Sequence, residues 1–373
     1  MSRRRMSTVA ALWIVLGLLA AACSPAAQPT TAPPTAVPAA STAAPPTEAP
    51  APPTQVPAAQ GPTECNVCSI HVTGLEEAWS KTWFDAWKKV AGEKPHGLTI
   101  HYDSFTENSW GDDAERALRN YAETGKCDII WAHSTYSDQV KKLNTEFPNI
   151  MWAVTGSGNE GLGGNVYWIY EHGHEGAYLL GIIAGSMTKS NVIGFVGGYP
   201  ADDVNDALNG FLDGAKSVNP KVQLKYTFIE SWYDPPKAKE AALAQIAAGA
   251  DFIYAERLGV HEACADKGVY ALGHFEDQNY LAPGHVASST VINWEPSVRY
   301  MLEEWWKHKT SGEPFNASKE PLWWGIKDGG VDIAPYHEFG AIMPQEVKDA
   351  VAKARQAMID GTLVVPLKTG LPE

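Results

Sequence analysis

The chain has 373 residues, 45% of them hydrophobic, and a formal charge of −14. That length and apolar content are enough for two lobes with real cores. The acidic balance excludes nucleic acid as a partner, because a phosphate backbone needs a basic surface.

The N-terminus reads as a targeting segment. Arg3, Arg4 and Arg5 are a positive start, and Val9 to Ala22 is an apolar run too short to span a membrane. It ends Leu19-Ala20-Ala21-Ala22-Cys23, which resembles a bacterial lipobox, small residues followed by the cysteine that takes the lipid. Residues 1–22 are expected to be a signal peptide and Cys23 the lipidated first residue of the mature chain. The alternative is an ordinary signal peptide with an incidental cysteine. Residues 23–62 are mostly Ala, Pro, Thr, Val and Ser. Such a segment cannot bury enough apolar surface to offset ordering and is expected to be a tether. The product is a domain held outside the cytoplasm on a bacterial cell membrane by its lipid, free to reorient.

The remaining cysteines are Cys65, Cys68, Cys127 and Cys264. Cys65 and Cys68 have a redox or zinc spacing, but three residues apart on a strand they point to opposite faces, and no second pair completes a metal site. Either of them can pair with Cys127 in an oxidising compartment.

Beyond the tether, short apolar strands alternate with helices. Strands are predicted over 67–73, 98–103, 128–132, 150–154 and 167–170, with helices between them, one carrying Trp83, Trp87 and Val90 on one face. An apolar helix over 177–187 leads to a second set: strand 191–196, helix 204–218 and strand 222–228. The stretch from Glu230 to Gln278 then holds two complete steps. Its first helix, 237–248, puts Ala241, Ala242, Ile246 and Ala247 on one face and closes at Gly249; strand 251–255, helix 259–266 and strand 269–273 follow. This alternation implies parallel sheets with right-handed crossovers. Ligands of such sheets sit beyond the carboxyl ends of the strands. Ser231 to Asp234, Glu256 to Gly259 and His274 to Gln278 therefore face a candidate site; they are aromatic and acidic, and lack the glycines of a phosphate cradle. The domain reading is an N-terminal lobe over 63–190, a C-terminal lobe over 191–287, a return to the first lobe over 288–320, and a second-lobe strand and terminal helix over 321–373.

Several motifs carry a resemblance. Gly194-Phe195-Val196-Gly197-Gly198, Gly210-Phe211-Leu212-Asp213-Gly214-Ala215, Asp234-Pro235-Pro236-Lys237, Glu175-Gly176-Ala177 and Gly325-Ile326-Lys327-Asp328-Gly329-Gly330 stand in one order and spacing. Together they resemble the basic membrane protein family, solute-binding lipoproteins of ABC importers, across nearly all of the chain after residue 65. The resemblance implies an α/β chain with the type I periplasmic-binding fold: two doubly wound parallel-sheet lobes around a ligand cleft, acting as a monomer that delivers its solute to ABC permease subunits. It implies purine nucleosides or related ring compounds as ligands. Trp232-Tyr233-Asp234-Pro235, Asn293-Trp294 and Trp323-Trp324-Gly325 are similar to a branch that binds the free purine base.

By this resemblance Trp79 and Trp232 sandwich the base, a stacking worth roughly 1–3 kcal/mol per face. Tyr136 lies at the same rim, Asp277 is the carboxylate that accepts ring or amino N–H groups, and Asn205 and Glu256 border the cleft from the second lobe. Two positions depart from the nucleoside binders: Phe275 stands where they carry the ribose-holding Asp, and Ile292 stands near their Lys. Losing both leaves a buried ribose unsatisfied, which favours a base over a nucleoside.

Catalysis is not expected, nor is a cofactor or metal. His172-Gly173-His174-Glu175 and His261-Glu262 form no His-Glu-x-x-His, and neither a zinc-deaminase signature nor a Gly-x-Ser-x-Gly elbow is present. Two alternatives stay open, a sensing receptor component that uses the same capture and a binder of another small aromatic solute.

Overall fold

The computed structural model describes residues 61–372. The expected signal peptide, the lipidated Cys23 and the tether up to residue 60 lie outside the described residues. In chain order the elements are β1 (Glu64–His71), α1 (Ala78–Glu93), β2 (Thr99–Thr106), α2 (Gly111–Thr124), β3 (Ile129–His133), α3 (Ser137–Leu143), β4 (Met151–Val154), β5 (Val166–Glu171) and α4 (Gly173–Met187). They continue with β6 (Val192–Gly197), α5 (Asp202–Val218), β7 (Gln223–Phe228), α6 (Pro235–Ala247), β8 (Phe252–Ala255), α7 (Val260–Lys267), β9 (Tyr270–Gly273) and β10 (Val286–Ile292). The last are α8 (Glu295–Ser311), β11 (Leu322–Trp324), β12 (Val331–Ile333) and α9 (Gln345–Ile359). No helix of the described residues is long and apolar enough to cross a membrane.

Two six-stranded sheets result, ordered β11-β5-β4-β3-β1-β2 and β12-β10-β9-β8-β6-β7. Every pairing is parallel except β10 with β12. Central strands are buried on both faces, which is why residues 129–132 of β3 and all of β8 read as apolar runs. In α6, Asp234 caps the helix by accepting from the Lys237 N–H at 3.0 Å, and Pro235 supplies a preset first turn. The buried face of α6 is Ala238, Ala242 and Gln245; Ala247 is exposed, against expectation. Gln245 is drawn inward by donating to Phe195 O at 2.9 Å, a polar anchor that an apolar-periodicity reading passes over.

The crossings between lobes fall elsewhere than expected. α4 follows a first-sheet strand but packs on α5, β10, β12 and α9, so the first crossing is at His172 rather than at 190. β10 belongs to the second sheet through Ile292, and α8 returns to pack on α1, so the second crossing is at Asn293 rather than at 288. β11 joins the first sheet and β12 the second, placing the third crossing after Trp324 rather than before 321. The three crossings are bonded side by side: His172 N–H donates to Trp324 O at 2.9 Å, Asn293 N–H to Gly330 O at 2.8 Å, and Ile326 N–H to Glu175 Oε2 at 2.7 Å. A bundle of short connections of this kind is the usual place for hinge motion between lobes.

Cys68 is disulfide-bonded to Cys127, tying β1 to the chain entering β3, while Cys65 and Cys264 are free and buried.

Candidate functional site

A cavity of about 30 Å³ lies between the carboxyl ends of the two sheets. The first lobe lines it with Val72, Thr73, Trp79, Ser134 and Thr135; the second lobe with Asp203, Trp232, Glu256, Arg257, His274 and Phe275. Contacts across the cleft show the lobes closed: Ser157 Oγ donates to Asp203 Oδ1 at 2.6 Å, Gly158 N–H to Asp202 Oδ2 at 3.2 Å, and Lys81 Nζ lies 3.4 Å from Glu276 Oε2.

Trp79 sits in the first turn of α1 rather than in the preceding loop, and is only 7% exposed. Its indole N–H donates to His133 O at 3.2 Å, and the rings of His133, Tyr170, Phe275 and Trp294 surround it with centroids at 4.5, 5.6, 5.3 and 5.8 Å. Phe275 comes from the opposite lobe, tilted 35° to the indole. It therefore covers part of Trp79 in this closed arrangement and leaves it when the lobes separate. Phe275 holds a left-handed φ of 66° and stacks on His274 at 3.8 Å. Such a conformation in a bulky residue is backbone strain, of the kind that gathers at binding sites.

Trp232 is the half-buried wall of the second lobe, touched by Tyr199 at 5.0 Å and by the Arg257 guanidinium 5.5 Å from its ring centroid. Gly198 lets it seat there: a side chain at that position would meet the Trp232 ring at 2.8 Å. Gly259, whose φ is 103°, allows the Pro235 carbonyl to approach it.

The polar groups form one network. Arg257 donates from Nε to Glu256 Oε2 at 2.8 Å and from Nη2 to Glu256 Oε1 at 2.5 Å, and from Nη1 to Trp232 O. Across the cleft its Nη1 lies 3.5 Å from Glu77 Oε2. Glu256 also accepts from the Gly198 N–H at 2.7 Å. Burial pushes the Glu256 and Asp203 carboxyls above the usual range, the first against the pull of Arg257, the second against its bond from Ser157. Burial pushes Glu77 up to about 7 despite Arg257. Burial, and then Arg257, hold His274 well below its ordinary value, so its imidazole is neutral; Nδ1 engages Tyr254 Oη at 2.9 Å.

Of the sequence-predicted site residues, the structure brings Trp79, Trp232, Glu256 and Phe275 to one cavity. The other three do not line it. Tyr136 is buried beside the cleft, its hydroxyl donating to Ser109 O at 2.8 Å. Asn205 faces the C-terminal segment, donating to Thr369 O at 2.8 Å. Asp277 lies away from the cavity, its side chain 39% exposed with Oδ2 2.7 Å from His337 Nε2. Arg257, Asp203 and His274 were missed. Arg257 and His274 stand in the stretches expected to face a ligand, and an arginine among acidic loops was the available signal; Asp203, at a helix start, reads as a routine first-turn acid.

A family profile described as ABC transporter substrate-binding protein, PnrA-like, matches residues 75–368. A purine-binding protein of Brucella abortus is 30% identical over 268 residues, which cover 70% of this chain and 71% of that protein. A putative ABC transporter glucose-binding protein of Haloferax volcanii is 29% identical over 321 residues, covering 82% and 75%. Among solved structures, an ABC transporter solute-binding protein of Aeropyrum pernix superposes with a TM-score of 0.67 at 17% identity, over 82% of this chain and 94% of that one, a likeness of fold.

Proposed function

The chain belongs to the PnrA-like family of ABC transporter substrate-binding proteins, and we propose that it is an extracytoplasmic lipoprotein, anchored at Cys23, that captures a purine base of the adenine type for import. The observation that carries this reading is the placement of Trp79 and Trp232 on opposite lobes of one cavity. A flat heterocycle entering the parted cleft stacks on both indoles as the lobes close, and closure delivers a defined shape to permease subunits. The purine-binding relative in Brucella abortus supports the same ligand class.

The charges narrow the ligand further. Asp203 and Glu256 line the cavity, Glu77 stands behind Arg257, and the guanidinium is engaged by Glu256, Trp232 O and Glu77. Among the described lining residues no uncommitted cation is left to receive a phosphate, which disfavours nucleotides. Phe275 offers an apolar edge to a sugar hydroxyl, which disfavours nucleosides. The relative described as glucose-binding supports a second reading, a sugar stacked on the same indoles.

Mass spectrometry of small molecules released by denaturing protein purified from its own cells tests the proposal. A purine base is the expected species; a hexose in its place supports the second reading and ends the first.

A further inference from the structure

We propose that Asp203 is the specificity-determining residue of the cleft, the acceptor that reads an N–H-bearing edge of the bound ring. This rests on the base reading above and goes beyond it by naming the group that discriminates among bases.

A ring held between two indoles is fixed in plane but not in rotation, because stacking is tolerant of what the edge carries. Discrimination must come from polar groups at that edge, and most of those on the cavity wall are occupied. Both oxygens of Glu256 accept from Arg257, and one also from the Gly198 N–H. The Arg257 donors serve Glu256, Trp232 O and Glu77. His274 Nδ1 is engaged by Tyr254, and Thr73 Oγ1 lies 3.1 Å from Ser80 Oγ; His274 Nε2, 3.9 Å from Glu256 Oε1, is a ring nitrogen that donates or accepts according to its tautomer and is the other polar atom open to a ligand. Ser134 and Thr135 contribute hydroxyls, which donate or accept and so discriminate weakly.

Asp203 differs from all of these. It lines the cavity from the first turn of α5, next to the second-lobe wall. Ser157, from the first lobe, donates to Oδ1 at 2.6 Å. That bond forms only when the lobes are closed, so it orients the carboxylate at the moment the ligand is enclosed. Among the described residues Ser157 is the one side chain that bonds this carboxylate, which also takes its own backbone N–H, so the group keeps capacity to accept from a ligand. A carboxylate accepts and does not donate, so it rewards a ring N–H or amino group and penalises a bare ring nitrogen facing it.

The test uses calorimetric titration with adenine, purine (no amino group) and 9-methyladenine (no N9–H). Asp203→Asn keeps the shape and can still accept from Ser157, but turns an amide N–H toward the ligand. Wild-type protein is expected to bind adenine at least about tenfold more tightly than one of the two analogues, and D203N to bring that ratio to within about twofold of unity. Ser157→Ala, which leaves the carboxylate but frees it, is expected to shift the same ratio less. Trp232→Ala is expected to weaken all three probes alike, as loss of a wall should. A D203N protein with wild-type melting temperature that keeps both ratios overturns the role of Asp203 and leaves the base reading intact. If wild-type protein binds none of the three, the base reading fails and takes this inference with it.

Discussion

The two faces of the cleft are built on opposite plans. The first-lobe face is a rigid aromatic block: Trp79 is locked among His133, Tyr170 and Trp294, with Trp83 and Trp131 buried behind His133 and Trp294. The second-lobe face is polar and lightly supported, with Trp232 half-buried and held by Tyr199 and Arg257, and with Glu256 and Asp203 beside it. On the proposed reading the first plan supplies a stacking surface that costs little to organise when ligand arrives. The second supplies discrimination, since its polar groups are directional and an unmatched partner is penalised. Stability and selectivity are then concentrated in different lobes.

The largest effect expected from breaking this contrast is at Trp79. Trp79→Ala removes a core residue as well as a wall and is expected to destabilise the fold by about 3–5 kcal/mol in chemical denaturation, besides weakening binding. Arg257→Ala is expected to cost a similar amount, about 3–5 kcal/mol, by leaving Glu256 buried and unpaired; Arg257→Lys restores charge but not the bidentate pairing. A loss in R257A below about 1 kcal/mol would mean that Glu256 simply takes up a proton. Trp232→Ala is expected to weaken adenine binding by about 1–3 kcal/mol in calorimetry with little loss of melting temperature, the reverse of the Trp79 balance. Equal stability losses at both tryptophans would erase the distinction between the faces.

A smaller, pH-dependent effect is expected at Glu77, where the two faces meet. Its carboxyl is raised in the folded protein to about 7 from the usual 4.5, chiefly by burial. The folded state holds that proton more tightly than the unfolded chain, so the stabilisation is present below the unfolded value and is lost as pH rises from 4.5 through 7. Glu77→Gln mimics the protonated group at every pH. Its melting temperature should match wild type near pH 4.5 and exceed it by a few degrees at pH 8. A difference that stays constant with pH would show that Glu77 does not titrate in this window.

Much of the fold was legible because buried parallel strands leave continuous apolar runs, as at Ile129–His133 and Phe252–Ala255, and helices punctuate them at regular spacing. The crossings were not. The helix over Gly173–Met187 is apolar nearly all round, so nothing in its pattern says which sheet it covers. Trp323 and Trp324 were assigned to the wrong lobe because a three-residue strand carries no partner information. Trp79 and Trp232 stood out in the sequence as tryptophans near strand ends, and both line one cavity. Arg257 was not singled out, since its cross-cleft partner Glu77 is 180 residues away in sequence. Asp277 follows a strand in chain order, and its side chain lies at the surface beside His337.

We propose that the cleft takes a purine base between Trp79 and Trp232, with Phe275 closing the space a ribose would need. Calorimetric titration of adenine, guanine and hypoxanthine, each against its own nucleoside, tests this directly. Adenine or a related base is expected to bind at least about tenfold more tightly than its nucleoside, a difference of roughly 1.4 kcal/mol. Nucleosides that bind as tightly as their bases would contradict the role given to Phe275, and the absence of binding by any purine would contradict the ligand class itself.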